Sequence, residues 1–362
     1  MIRTRLLTTA CAVLALTVLA TGASAAPDHA PPRTARADRV SDPGGLVAED
    51  LRARAGYDGD GTFTGIDGIV YQSAPVVVEG KFGQLFWGPD FDVACSLGTA
   101  SQVNFAYTTK LARLIEKSGR TAIWTAAPNK ANVYGSALPD PLPHGTCDAD
   151  GIGQQKDVID RLDRKDPTFL PLRNLLARDD REVYFKTDLH WTTVGGSVFA
   201  QAVAERLDPR VARRQRYTYG TETRVGILNY FRDSTAQETA QTAIPATGTK
   251  VNTDRGSVEQ WDGYPNTVLD YSWNAGPAKK TIGGHTLLLG DSFMLYALES
   301  MRPIFRHGHF MFLNHVSERD VIRAIKASDT VVMETLQTFA SFESPLIHPG
   351  FRKKLRKALL KH

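Results

Sequence analysis

Two short polar segments contain the residue types of a nucleophilic site. A Gly-Asp-Ser triplet at residues 290–292 directly follows an apolar run and precedes a predicted helix. Asp188 and His190 lie two residues apart before another predicted helix, so one loop delivers both. A serine hydroxyl is a weak nucleophile that needs a base within about 3 Å, and a histidine base works best when a carboxylate holds its other ring nitrogen. Together the two segments contain all three groups.

Each segment by itself has a simpler interpretation. Asp291 or Ser292 can serve only as a helix N-cap. Asp188 and His190 can form a structural pair or part of a metal site. Both segments are, however, predicted at the carboxyl ends of strands of one sheet, where ligands bind in open α/β folds. The two segments together therefore favour a nucleophilic active site over purely structural roles.

The elements that must position these segments alternate between strands and helices from about residue 69. Strands are predicted at residues 85–87, 121–124, 183–185, 286–289, 310–313 and 330–334, and helices at 103–117, 194–207 with Thr192 or Thr193 as N-cap, 292–300 and 318–326. This alternation predicts an α/β fold with a doubly wound, mainly parallel sheet flanked by helices. Residues 210–282 are polar and rich in Thr and Gly, and are predicted to form a long loop-rich insertion.

The two ends of the chain differ from this domain. Arg3, Arg5, an uncharged apolar run at 6–20 and the small residues 23–25 predict a signal peptide at 1–25, with an uncleaved anchor as the alternative. Secretion follows from cleavage. Residues 26–65 are predicted to be a flexible linker and residues 66–362 the catalytic domain. The last part of that domain, 346–362, is predicted as a basic helix that docks on the domain or contacts an anionic polymer or membrane.

Composition and cysteine content narrow the class further. The chain has 362 residues and a net charge of +4, which gives no general signature of nucleic-acid binding. Removal of the signal peptide leaves Cys95 and Cys147, which in an oxidising compartment predict one disulfide. The alternative is two buried free thiols.

The two polar segments also resemble a known family. Residues 188–192 read Asp-Leu-His-Trp-Thr and lie upstream of Gly-Asp-Ser-Phe at 290–293. This order is similar to the SGNH-hydrolase-like domain of the alginate O-acetyltransferase (AlgX/AlgJ-like) family. Weaker matches at 80–86, 128–130 and 331–334 extend the resemblance over about residues 66–345.

The resemblance implies a triad of Ser292, His190 and Asp188. It implies transfer of an acetyl group through an acyl-serine to hydroxyls of an exported polysaccharide, with no metal or cofactor. The expected partners are the polysaccharide acceptor, an unidentified acetyl donor and a membrane-bound acyltransferase. The backbone N–H of Ser292 is one expected oxyanion donor.

Other residues are weaker candidates. Asn129, Lys130 and Tyr134 are candidates for a second oxyanion donor or for substrate contact. Four aromatic residues of the insertion either stack on sugar rings or pack the insertion: Trp261, Tyr264, Tyr271 and Trp273. The alternatives to a transferase are a secreted carbohydrate or lipid esterase with the same triad and an inactive glycan-binding module.

Overall fold

The computed structural model describes residues 61–97, 101–254, 270–313, 316–338 and 349–360. The predicted signal peptide and most of the predicted linker lie outside these ranges, as do Trp261 and Tyr264. No helix among the described residues is both long and apolar enough to cross a membrane.

The described strands are β1 (Thr62–Thr64), β2 (Val70–Gln72), β3 (Val77–Glu79), β4 (Leu85–Trp87), β5 (Thr121–Ala127), β6 (Tyr217–Val225), β7 (Gln237–Pro245), β8 (Lys250–Asp254), β9 (Asp270–Gly276), β10 (Ile282–Gly290), β11 (Phe305–Phe312) and β12 (Thr330–Leu336).

The described α-helices are α1 (Gly88–Leu97), α2 (Ser101–Lys117), α3 (Lys130–Val133), α4 (Thr146–Lys165), α5 (Arg173–Ala177), α6 (Thr193–Leu207), α7 (Pro209–Ala212), α8 (Ile227–Tyr230), α9 (Ser292–Met301), α10 (Glu318–Ala327) and α11 (Pro349–Leu360). Short 3₁₀ turns lie at Lys81–Gly83, Gly135–Ala137, Ala278–Lys280 and Arg302–Ile304.

A six-stranded sheet with the order β5-β12-β10-β11-β9-β8 forms the centre of the fold. Its first four strands run parallel to one another. At one edge β9 pairs antiparallel with β11, and β8 pairs antiparallel with β9. The predicted α/β fold with a mainly parallel sheet is therefore confirmed, and the sheet is mixed because the insertion supplies the two antiparallel strands.

Side chains of successive residues in the central strands enter two separate apolar layers. Leu288 packs in one layer with residues of α6 and α9, whereas Leu287 and Leu289 pack in the other with residues of α2, α10 and α11. This alternation follows from the two-residue period of a strand. A strand buried on both faces reads as a continuous apolar run, which is why the sequence signalled β10 so clearly.

The predicted strand at 183–185 is wrong. The described backbone there makes only one isolated bridge, between Tyr184 and Trp191, and the segment folds back on itself through Thr192 N to Val183 O at 2.9 Å. Val183, Tyr184 and Phe185 are at most 1% exposed. Their burial under the helices explains a strand-like apolar run outside the sheet.

The insertion and the linker also hold more regular structure than predicted. Strands β6 and β7 form a nine-pair antiparallel hairpin, and β8 pairs with β9. The last residues of the predicted linker form β1, which pairs with β2 and buries Phe63. Alternating polar strands with one exposed face lack the apolar run that signals a central strand.

The basic helix α11 presents an apolar stripe to the domain. Phe351 and Leu355 are fully buried in the layer that contains α10. Lys354 Nζ contacts the carboxylate of Glu318 at the start of α10. This packing favours the docked alternative.

Cys95 near the end of α1 and Cys147 at the start of α4 form the predicted disulfide. It closes a loop with a sequence separation of 52 residues. The chain-entropy model assigns a loop of that size about 4 kcal/mol. We expect the double change Cys95→Ser, Cys147→Ser to lower the free energy of unfolding by a few kcal/mol in urea titrations. Reducing agent should destabilise the wild type but not this variant, and an equal effect on both would contradict the prediction.

Candidate active site

Ser292 lies where the central strand β10 passes into helix α9. Asp291 is the N-cap, and its Oδ1 accepts a hydrogen bond from Phe293 N at 2.9 Å. Gly290 is required here, because a Cβ on it would lie 2.4 Å from Met294 Cβ and 2.8 Å from Glu334 Oε2. The serine therefore stands at a helix N-terminus, where backbone N–H groups favour negative charge.

The side chains of Ser292, His190 and Asp188 form one hydrogen-bonded chain. His190 Nε2 lies 2.7 Å from Ser292 Oγ, and His190 Nδ1 lies 2.7 Å from Asp188 Oδ1. Asp188 is fully buried and His190 is 6% exposed. With the imidazole proton on Nδ1, Nε2 is free to accept the serine proton.

Asp188 is held ionised by its neighbours. Burial alone would raise the pKa of its carboxyl, but His190 and Arg224 outweigh burial and keep the pKa below its usual range. Asp188 Oδ2 accepts hydrogen bonds from Arg224 Nη2 at 3.0 Å and from Ile227 N at 3.2 Å. The carboxylate is therefore saturated on both oxygens.

Trp191 ties the two predicted segments together. Its Nε1 donates to Phe293 O at 2.8 Å, and its side chain is fully buried. The next residue, Thr192, is the N-cap of α6, and its Oγ1 accepts from the backbone N–H of Val194. The tryptophan and threonine of the motif thus fix the loop that carries His190.

The loop of Asp188 does not follow a strand of the central sheet as predicted. It packs beside the sheet, and α6 begins where it ends. The Trp191–Phe293 hydrogen bond replaces a shared strand edge in bringing His190 to Ser292.

The polar atoms of Lys130 and Tyr134 are committed to backbone groups. Lys130 is 2% exposed, and its Nζ donates to the carbonyls of Leu85, Phe185 and Lys186 at 2.6–2.8 Å and more weakly to that of Asp188. Tyr134 Oη accepts from the N–H groups of residues 183 and 184. These contacts favour positioning roles over substrate contact for both residues.

Asn129 is the remaining oxyanion candidate. Its Oδ1 accepts from the N–H and hydroxyl of Thr338 at 3.2 and 3.0 Å. Its Nδ2 makes no hydrogen bond within the described part of the chain. Asn129 follows β5, whose carboxyl end is at the same edge of the sheet as that of β10.

Of the four aromatic residues predicted as glycan contacts, the two that the structure describes lie in strand β9, between β11 and β8. Trp273 is 1% exposed, and its Nε1 donates to Arg302 O at 2.9 Å. Its burial favours packing over sugar stacking. The backbone of Tyr271 pairs with Phe310 of β11.

Two buried carboxyls lie directly behind Ser292. Asp291 is 3% exposed and Glu334, in β12, is 1% exposed. Burial raises the pKa of both carboxyls, and the neighbouring Asp291 raises that of Glu334 further, well above its usual range. Glu334 is therefore protonated in the folded protein at pH values where an exposed glutamate is ionised.

This raised pKa predicts how Glu334→Gln alters stability. The folded state retains a proton that the unfolded state releases above about pH 4.5, so Glu334 makes wild-type stability fall as pH rises, by up to about 1.4 kcal/mol per pH unit. The two proteins should be similar below pH 4.5, and the variant should gain relative to wild type at higher pH. Urea unfolding at pH 4, 6 and 8 measures this difference, and a constant difference would contradict it.

The fold and the site define a class and then a family. The sheet flanked by helices and the Asp-x-His loop beside Gly-Asp-Ser are those of an SGNH hydrolase-like domain. The sequence profile of the family described as "SGNH hydrolase-like domain, acetyltransferase AlgX" matches residues 77–262, just over half of the 362 residues. The chain belongs to this family, which confirms the resemblance. The matched range includes Asp188 and His190 and ends before Ser292.

Three solved structures are similar to this chain, and the two with TM-scores above 0.5 support the fold. PatB1 from Bacillus cereus aligns with a TM-score of 0.54 and 14% identity over 75% of this chain and 98% of that one. A DHHW family protein from Eubacterium siraeum aligns with a TM-score of 0.51 and 17% identity over 77% and 98%. The O-acetyltransferase domain of Pseudomonas putida AlgJ aligns with a TM-score of 0.49 and 18% identity over 78% of this chain and 99% of that one. No curated protein matches the sequence.

Arg224 and Glu238 were not among the predicted site residues. Arg224 contacts Asp188, and Glu238 accepts hydrogen bonds from the backbone of the same loop. Both lie in the insertion, 36 or more residues from the groups that they bind. No local sequence signal distinguishes them from exposed polar strand residues.

Proposed function

We propose that this protein is an exported serine O-acetyltransferase that moves acetyl groups onto hydroxyls of a polysaccharide through an acyl-serine. The observation that carries the proposal is the hydrogen-bonded chain from Ser292 Oγ through His190 to Asp188. Membership of an acetyltransferase family supports the choice of acetyl as the transferred group.

The first half-reaction loads the serine. His190 Nε2 takes the hydroxyl proton as Ser292 Oγ attacks the carbonyl carbon of an acetyl donor. Asp188 stabilises the imidazolium that forms. The oxyanion receives hydrogen bonds from Ser292 N–H and, as proposed here, from Asn129 Nδ2. Collapse of the intermediate expels the donor's leaving group, which takes the proton from His190.

The second half-reaction transfers the acetyl group from Ser292 to the acceptor. A sugar hydroxyl gives its proton to His190 and attacks the acyl carbonyl carbon. Collapse returns the proton to Ser292 Oγ and releases the acetylated sugar. Water in place of the sugar hydroxyl gives acetate, which is the esterase reaction.

Export and a donor-supplying partner complete the proposal. The predicted signal peptide at 1–25 supports an extracytoplasmic location, and the disulfide between Cys95 and Cys147 fits an oxidising compartment. A membrane-bound acyltransferase is the proposed source of acetyl groups.

The test supplies a chromogenic acetyl ester with and without neutral and acidic oligosaccharides, and measures both ester cleavage and the mass of the oligosaccharide. An acetylated oligosaccharide with wild type but not with Ser292→Ala supports the transferase. Release of acetate alone, dependent on Ser292, supports the esterase. Wild type that cleaves no ester yet binds oligosaccharide supports the inactive glycan-binding module.

A further inference from the structure

The hairpin of β6 and β7 packs on the loop that carries Asp188 and His190 and forms hydrogen bonds with it. Arg224 of β6 donates from Nη2 to Asp188 Oδ2 at 3.0 Å and from Nη1 to Tyr296 Oη at 2.7 Å. Its guanidinium carbon lies 4.5 Å from the ring centre of Phe185. The guanidinium is thereby fixed by the carboxylate, a phenol and an aromatic face at once.

Strand β7 contacts the backbone of the same loop through Glu238. Glu238 of β7 accepts hydrogen bonds from Lys186 N at 2.6 Å, Thr187 N at 3.0 Å and Thr187 Oγ1 at 2.5 Å. Glu238 is 8% exposed, so these charge-assisted bonds lie out of bulk water.

Arg224 and Glu238 are direct cross-strand partners in the hairpin register. Side chains of directly opposite residues lie on the same face of a hairpin. One pair of opposite charges therefore contacts both the carboxylate of Asp188 and the backbone N–H groups of the two residues before it. The hairpin then closes onto the loop through Leu228 N, which donates to Thr187 O at 3.0 Å.

The segment that connects β6 to β7 begins in direct contact with the loop of Asp188. A Cβ on Gly226 would lie 2.1 Å from Thr187 O, so only glycine permits this approach. Ile227 N follows at once and donates to Asp188 Oδ2. The chain after β6 is thus in direct contact with the loop over three consecutive residues.

We propose that this hairpin is a positioning element of the active site, in which Arg224 orients Asp188 and Glu238 fixes the backbone that presents His190. The proposal rests on the proposed function, because it assigns these residues to the preparation of Ser292. It gives the hairpin a positioning role in a segment that the sequence predicts to be a long loop-rich insertion.

Against the effect of burial, His190 and the guanidinium of Arg224 keep the pKa of the Asp188 carboxyl below its usual range. Among the residues that the structure describes, the other charged or titratable groups that face the Asp188–His190 pair are Lys130, Tyr296 and Asp291. Removing the guanidinium removes the cation closest to the pair, which favours the protonated, inactive form. Removing the Glu238 carboxylate removes a negative charge, which favours the unprotonated form of the pair.

The test measures the rate at which an arylsulfonyl fluoride labels Ser292, followed by intact mass from pH 5 to 9. We expect Arg224→Gln to slow labelling by about 10- to 100-fold and to move the acid limb of the profile to higher pH. Arg224→Lys should restore the limb but not the full rate, because an ammonium cannot bind Asp188 and Tyr296 in a fork. Glu238→Gln should slow labelling with the limb unmoved or lower.

Arg181→Gln is the matched control. Arg181 pairs with Asp179 and stacks on Tyr219 of the same hairpin, and none of its hydrogen bonds involves Asp188. It should label like wild type.

Two failures are distinguishable. If wild type is not labelled at Ser292, the proposed function fails. If wild type is labelled, and folded Arg224→Gln and Arg224→Lys both match its rate and profile, the positioning proposal alone is overturned. Melting curves identify a variant that has not folded, in which case Arg224→Lys decides.

Discussion

Replacing Ser292 or His190 with alanine is expected to lower acetyl-ester turnover by about 10⁴- to 10⁶-fold, and replacing both is expected to cost no more than the worse single change. The reason is the single chain of hydrogen bonds between them, at 2.7 Å from His190 Nε2 to Ser292 Oγ. Once the nucleophile is gone the base has no proton to take, so the second change removes nothing further.

Steady-state kinetics of the two single variants and the double variant measure this non-additivity. Ser300→Ala in the same helix and His285→Ala at the opposite end of the preceding strand are matched controls that should retain wild-type turnover. A double variant whose loss equals the product of the two single losses would show that the residues act independently, and the acyl-serine mechanism would fail.

Non-additivity also separates catalysis from substrate binding. Residues that only contact substrate lose their contributions one by one, and the losses add in free energy. The same kinetics on Arg224→Gln combined with His190→Ala should show no further loss from the first change, because Arg224 acts through Asp188 and His190.

The sequence predicted the parts of the fold that depend on local pattern. Only the second half of strand β10 is a buried apolar run, so the sequence predicts residues 286–289 of a strand that spans Ile282–Gly290. Helix α6 follows a threonine whose hydroxyl caps it, and its predicted bounds are correct to within one residue. The pair Asp188 and His190 and the serine at 292 are predicted as site residues for the same reason, since each lies at an element boundary with a distinct residue pattern.

The rest depends on contacts between distant residues. Arg224 and Glu238 gain their roles only when a hairpin of the insertion folds onto the loop at 186–190, 36 to 52 residues away. The apolar run at 183–185 was mistaken for a strand because burial under helices and burial in a sheet give the same pattern. The polar atoms of Lys130 bind backbone carbonyls, which leave no trace in residue types.

Lys130→Met is expected to lower the free energy of unfolding by about 3–5 kcal/mol. The amino group of Lys130 is buried and lies within hydrogen-bond distance of four carbonyls, including those of Phe185 and Asp188. Methionine fills the space but offers these carbonyls no donor. Because these carbonyls belong to the loop that presents His190, turnover should fall as well.

The lowered pKa of Lys130 determines whether the loss of stability caused by Lys130→Met grows or shrinks as pH rises. Burial lowers the pKa of Lys130 to about 7, against the opposing effect of Glu238, Asp188 and Asp90. Between that value and the unfolded value near 10.5 the unfolded state binds more protons than the folded one, so the group makes stability rise with pH. The loss caused by Lys130→Met should therefore be smallest below pH 7 and grow toward pH 10.

Urea unfolding of wild type and Lys130→Met at pH 6, 8 and 9.5 measures this growth. Lys156→Met is the control, because Lys156 is exposed and its ion pair within the described part of the chain is with Asp160, one turn along α4. It should change stability by less than about 0.5 kcal/mol at every pH. A loss from Lys130→Met that shrinks as pH rises would mean that the buried amine is stabilised mainly as a cation by Glu238 and Asp188. The loop would then depend on charge attraction rather than on the hydrogen bonds to its carbonyls.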